Sequence, residues 1–253
     1  MSQTLEQQNT SPRKIEALDA GGARSFVEKN MIPAHNSRCC IDGRYPHGDV
    51  PACARPGGDP GYFMEILAGL RKIGFNLNSQ NAQAVLDTII DTLGGPTKID
   101  WHTDEHSNGV AGGCKHIANA RNNPNDYGLT GGDAELIEQT LLRLKSQGGN
   151  EIVLKGEHKE RAVLILNSRD LSINHQGEDG DQVFVYHKAI DQEQRDILVQ
   201  AVSARFGLDN AELLEATNTA SANQLEATAD VVAKNLPRYI ASRVDGELMV
   251  VQL

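Results

Sequence analysis

The chain has 253 residues, 39% hydrophobic and 23% charged, enough for one large domain with a substantial core. Its 34 acidic against 24 basic side chains leave a net charge of -10, which disfavours nucleic acid and anionic lipid as partners. There is neither a run of ~18 apolar residues nor a signal-peptide pattern, so the expected setting is the cytoplasm, with no membrane contact and the cysteines at 39, 40, 53 and 114 reduced.

Residues 1–13 are polar, include Ser11-Pro12, and read as a disordered tail; residues 14–253 read as a single α/β domain. A short helix is expected at 14–18 or 24–30. Ser37 through Arg44 reads as a strand end entering a turn, and 48–59, rich in glycine and proline, as a loop. Asp59 is the expected N-cap, with Pro60 in first position, of a helix continuing over 62–72 with Phe63, Ile66, Leu67 and Leu70 at helical spacing. A helix over 79–93 is predicted next, stopped by Gly94-Gly95-Pro96. Residues 98–102 form a short strand ending at His102, and Gly109 to Gly113 deliver Cys114 into a helix reaching Ala120.

The next predicted helix covers 133–145, with Leu136, Ile137, Leu141, Leu142 and Leu144 as core residues. After Gly149 come strands at 151–154, 162–166 and 182–187, helices at 192–206 and about 223–236, and a strand at 248–251. The fold class this predicts is α/β, a central mixed sheet flanked by helices, with a strand-rich C-terminal half.

Three places carry chemistry. In Cys40-Ile41-Asp42-Gly43-Arg44, strand alternation puts the thiol, the carboxylate and the guanidinium on one face, a charged group that needs mutual pairing wherever it is buried. His102-Thr103-Asp104-Glu105-His106 follows an apolar strand. In Gly112-Gly113-Cys114-Lys115-His116 the glycines permit close backbone approach, and a thiolate opening a helix is favoured by its dipole. Cys40, Cys114 and one imidazole, His102 or else His106, make a Cys2His set with a fourth tetrahedral position open to water. Two thiolates cancel the +2 charge of a metal, so bound water is acidified less than at an all-histidine site and activity is expected at alkaline pH. Cys39 faces away from Cys40 and reads as a packing residue, Cys53 as a bystander and His158 as a solvated side chain.

The segment Cys40 to Arg44 resembles the Cys-x-Asp-x-Arg pattern of β-class carbonic anhydrases. A longer match resembles the ζ, or cadmium-type, class: Cys40 to Arg44, then Pro56-Gly57-Gly58-Asp59 with Phe63, then His102-Thr103-Asp104, then Gly113-Cys114-Lys115-His116, in that order over residues 38–166. The resemblance implies that Cys40, His102 and Cys114 hold Zn2+, with Cd2+ as the alternative. It also implies that Asp42 and Arg44 form a catalytic dyad for reversible hydration of CO2, a small neutral substrate, to bicarbonate by metal-bound hydroxide. Asp104, His106 and His116 are candidates to support the ligands or carry the proton, and Gly57, Gly58 and Asp59 to line the substrate pocket. Two other readings keep the same residues: a hydrolase of a CO2-like molecule such as CS2 or COS, and a metal-binding homologue without turnover.

Overall fold

Helix boundaries follow from caps. The computed structural model describes residues 16–33, 38–40, 53–55, 62–101, 120, 122–151, 160–174, 182–232 and 235–253; the tail predicted at 1–13 lies outside them. Helix α1 spans Ala20–Lys29, over the second of the two expected ranges, and starts early because the Asp19 carboxylate accepts the Gly22 N–H at 2.7 Å and so caps its first turn. Helix α2 spans Phe63–Lys72. Its N-cap is Tyr62 in left-handed backbone, φ 62, with no side chain capping it; the expected start at Asp59 and Pro60 lies outside the described residues. Helix α3 spans Ser79–Leu93 as predicted. Asn78 caps its start, and Gly94 at φ 85 ends it in a conformation that only glycine adopts without cost.

Helix α4 spans Gly131–Ser146. It starts two residues early because the Asp133 carboxylate accepts both the backbone N–H and the hydroxyl of Thr130, each at 2.8 Å. Asp133 is fully buried and also receives the Arg71 guanidinium, at 2.6 Å from Nη2, which ties α2 to α4. Burial works to raise the Asp133 carboxyl, but the Arg71 and Thr130 bonds outweigh it and hold the group below its ordinary value. Leu142, predicted in the core, is 63% exposed on the outer face of α4.

Among the described residues of the second half, helices outweigh strands. Helix α5 spans Lys188–Phe206 and α6 spans Asn210–Val232, 19 and 23 residues long. The helix expected at about 223–236 therefore starts thirteen residues earlier, where Asp209 accepts the Glu212 N–H at 2.9 Å. Thr217, Thr219 and Ser221 weaken the local helix preference there, but packing overrides it. Leu213, Ala216, Thr217, Ala220, Ser221 and Gln224 are all buried.

The described strands are β1 (Met31–Ile32), β2 (Arg38–Cys40), β3 (Cys53–Arg55), β4 (Asp100–Trp101), β5 (Asn150–Glu151), β6 (Glu160–Leu166), β7 (Ser172–Ile173), β8 (Gln182–His187), β9 (Arg238–Val244) and β10 (Glu247–Gln252). Strand β3 lies inside the loop predicted at 48–59; Lys98, predicted in a strand, belongs to a 3-10 turn over Pro96–Lys98. Strand β9 was not predicted. It forms an antiparallel hairpin with β10 through Asp245 and Gly246 at φ 52 and 83, the positive pair that a two-residue hairpin turn needs.

The largest sheet has the order β10-β9-β6-β8, with β8 and β9 both parallel to β6 and only β10 antiparallel. Its alternating inward residues, Ala162, Leu164, Leu166, Val183, Val185, Tyr239 and Ala241, pack with Leu18, Ala23, Phe26 and Val27 of the α1 region into one core. Tyr239 completes this layer by donating its hydroxyl to the Leu18 carbonyl at 2.7 Å. A second core joins α2 to α6. The architecture is thus mixed α/β, a mixed sheet with flanking helices, and among the described residues no helix is long and apolar enough to cross a membrane.

The tightest helix contact is α2 against α6. A Cβ on Gly69 would stand 2.4 Å from Thr217 Oγ1 and 3.0 Å from the Thr217 backbone nitrogen. Gly69→Ala gains about 1 kcal/mol of helix preference and loses about 1–3 kcal/mol to overpacking. The expected result is a net loss of stability in urea unfolding, partly restored by adding Thr217→Ala. An unchanged unfolding midpoint would show that the helices separate without cost.

Candidate functional site

Cys40 is the last residue of β2, and its backbone pairs in parallel register with Arg55 of β3. Cys39 pairs with Ala54 and Arg38 with Cys53, so Cys53, expected as a loop bystander, belongs to the strand beside the candidate ligand. Strand β4 lies against β2 and pairs in parallel with β5. It ends at Trp101, the residue before His102. The strand that ends at Cys40 and the strand that leads into His102 are therefore neighbours.

Asp42, Arg44, Gly57, Gly58, Asp59, His102, Asp104, His106, Cys114, His116 and His158 lie outside the described residues. So does the predicted approach of Cys114 to a helix, of which the described part is its far end: Ala120 is helical and buried. Among the described residues no three His, Cys, Asp or Glu side chains come together as a metal site. The predicted donor set is chemically apt for Zn2+ or Cd2+, since thiolate and imidazole suit both a borderline and a softer divalent ion.

A polar cluster that sequence reading did not single out lies among β8, α2, α5 and α6. Arg195 is 5% exposed, and every nitrogen of its guanidinium is engaged. Nη1 bonds the Asp191 carboxylate and, at 3.1 Å, Ser221 Oγ; Nε donates to Asn218 at 2.7 Å; Nη2 donates to Gln192. Tyr186 donates to the same Asp191 carboxylate at 2.8 Å, and Tyr62 to the Asp191 carbonyl at 3.2 Å. The guanidinium also stands 5.9 Å from the centre of the Tyr62 ring, within cation–π range. A buried ion pair with this many partners adds little net stability but costs about 3–5 kcal/mol if one partner is removed. Its sequence signal is the Asp191/Arg195 spacing of four on a helix, which by itself is equally common on solvated faces.

Tyr62 carries the strain of this region. Its φ of 62 and ψ of 26 are left-handed, a conformation that costs a residue with a Cβ about 1–2 kcal/mol. Glu65, in the first turn of the same helix, is fully buried.

His187 ends β8 and caps α5, its Nδ1 accepting the Ile190 N–H at 3.4 Å. Burial pushes the imidazole below its ordinary value, against a smaller opposing pull from the Leu171 backbone and from Asp191. The unfolded chain therefore binds a proton at higher pH than the folded one, so stability rises with pH across the window below ~6.5 and falls on acidification. His187→Asn keeps a capping acceptor without a titrating group. Urea midpoints at about pH 7.5 and 5.5 should differ less in this variant than in the parent, and equal differences would remove His187 from the acid response.

Comparison with protein-family models, with curated proteins and with solved structures returns no match to this chain.

Proposed function

We propose that the chain is a metal-dependent carbonic anhydrase that interconverts CO2 and bicarbonate. The observation that carries this reading is the ordered set of motifs from Cys40 to His116; β2 contains Cys40, and its neighbour β4 runs up to Trp101, the residue before His102. In parallel α/β sheets, ligands gather beyond the carboxyl ends of strands, and Cys40 and Trp101 are such ends. The net charge of -10 offers no attraction to an anion, which suits a neutral substrate.

In this reading Cys40, Cys114 and His102, with His106 as the alternative imidazole, hold Zn2+ or Cd2+. A bound ion would supply Lewis acidity to activate water for the hydration of CO2. Asp42 accepts a hydrogen bond from the attacking oxygen and orients it. Arg44 pairs with Asp42, keeping its carboxylate ionised and away from the ligand set. His106 takes the proton onward to buffer. The reduced thiols this requires fit a cytoplasmic setting.

Stopped-flow CO2 hydration by zinc-loaded protein tests the proposal, with activity expected at roughly pH 8.5–9, near where water on free aqueous zinc ionises. Cys40→Ser should lose the bound metal, whereas Asp42→Ala should keep it and lose activity by about 10²-fold or more. Stoichiometric metal with no turnover of CO2 would refute the proposal; hydrolysis of CS2 or COS would then select the related hydrolase, and inactivity on all three the non-catalytic homologue.

A further inference from the structure

Strand β10 borders β9 on one side and, among the described residues, no strand on the other. It pairs with β9 without a register shift, and Glu247 is the one charged side chain between residues 247 and 253. Proline, lysine and bulges are the usual devices that blunt a sheet edge, and β10 carries none of them. Its alternate side chains Met249 and Val251 are 45% and 54% exposed, on the face that they share with the exposed Val244 of β9.

The backbone groups of this edge point in a fixed pattern. Leu253 donates its N–H to the Arg238 carbonyl at 2.9 Å, so the odd-numbered residues of β10 turn their N–H and C=O groups towards β9. Leu248, Val250 and Gln252 therefore turn theirs outward. Leu248 and Val250 pack their side chains against the α1 core, which leaves their backbone to be satisfied at the edge.

An antiparallel copy of the same strand satisfies these groups when a two-fold axis passes beside Val250. Val250 then faces the partner's Val250, and Leu248 faces the partner's Gln252 on either side of the axis. These three pairs exchange two hydrogen bonds each, more than any other two-fold register of β10 allows. Met249 comes opposite the partner's Val251 at the close, non-hydrogen-bonded spacing, where cross-strand side chains touch. Glu247 comes opposite the partner's Leu253, with the partner's Arg238 next in the same row about 10 Å away, so opposite charges approach at both ends.

We propose that β10 is a dimer edge, through which two copies of this chain join their sheets antiparallel about an axis at Val250. The interface is independent of the metal-site reading. A single strand pair is small beside the roughly 1,600 Å² of a standard interface, so the dimer is reversible, with dissociation on the order of micromolar.

Sedimentation velocity of the full chain, from about 1 to 200 µM, should show monomer giving way to dimer. Met249→Lys with Val251→Lys sets like charges opposite each other at both contacts and should weaken dimerisation about tenfold or more. Met249→Lys with Val251→Glu sets opposite charges at the same two contacts. It should dimerise at least about tenfold more tightly than the first variant, and lose that advantage in about 1 M salt. Both positions are exposed, so thermal unfolding midpoints near the parent's are expected. A parent that stays monomeric at the highest concentration overturns the proposal. So does equal dimerisation by the two variants, which would mean that copies meet elsewhere or in another register.

Discussion

A guanidinium taken out of water must find a partner for every donor, and the placement of Arg195 constrains the described structure accordingly. Its anion is on its own helix, its amide and hydroxyl acceptors are partly on α6, and the ring beneath it opens α2. Through Asp191 the same charge reaches Tyr186 on β8. The helical core and the edge of the large sheet are thereby held in one arrangement. A slide of α6 along α2 would strand a buried cation and drive Gly69 away from Thr217, where the backbones approach too closely for any side chain.

The proposed chemistry lies at the edge of this framework. The described parts of β2, β3, β4 and β5 are two or three residues long, paired in parallel, and β2 and β3 rest on their neighbours β4, β8 and α5.

Elements whose signals are local were legible. Helix α3 carries its own start at Asn78 and its own stop at Gly94, and the apolar runs at 162–166 and 183–185 fall in β6 and β8. Elements that depend on distant partners were not. Strand β3 is three residues in a glycine- and proline-rich stretch and exists because β2 lies beside it. The first half of α6 reads as threonine, asparagine and serine, poor helix formers, until its small residues are seen packed on α2. Tyr62 shows the same divide: nothing local calls for left-handed backbone at a tyrosine, and its hydroxyl is held from α5. The Asp245-Gly246 turn of the last hairpin is a local signal of the same kind as the α3 caps, both residues lying at positive φ.

By itself, the sequence determined the residue types and order of a candidate metal site, the fold class, and the elements bounded by their own caps, since these depend on side-chain chemistry and on neighbours within four residues. Tertiary structure decided that the strands of Cys40 and Trp101 are neighbours and that Asp133 and Arg71 pair across 62 residues. It also placed the guanidinium of a buried arginine on α5 over the ring of Tyr62, the residue that precedes α2. The physical reason is that burial couples groups distant along the chain, and the cost of an unpartnered charge or a blocked helix contact is set by the neighbour that folding supplies.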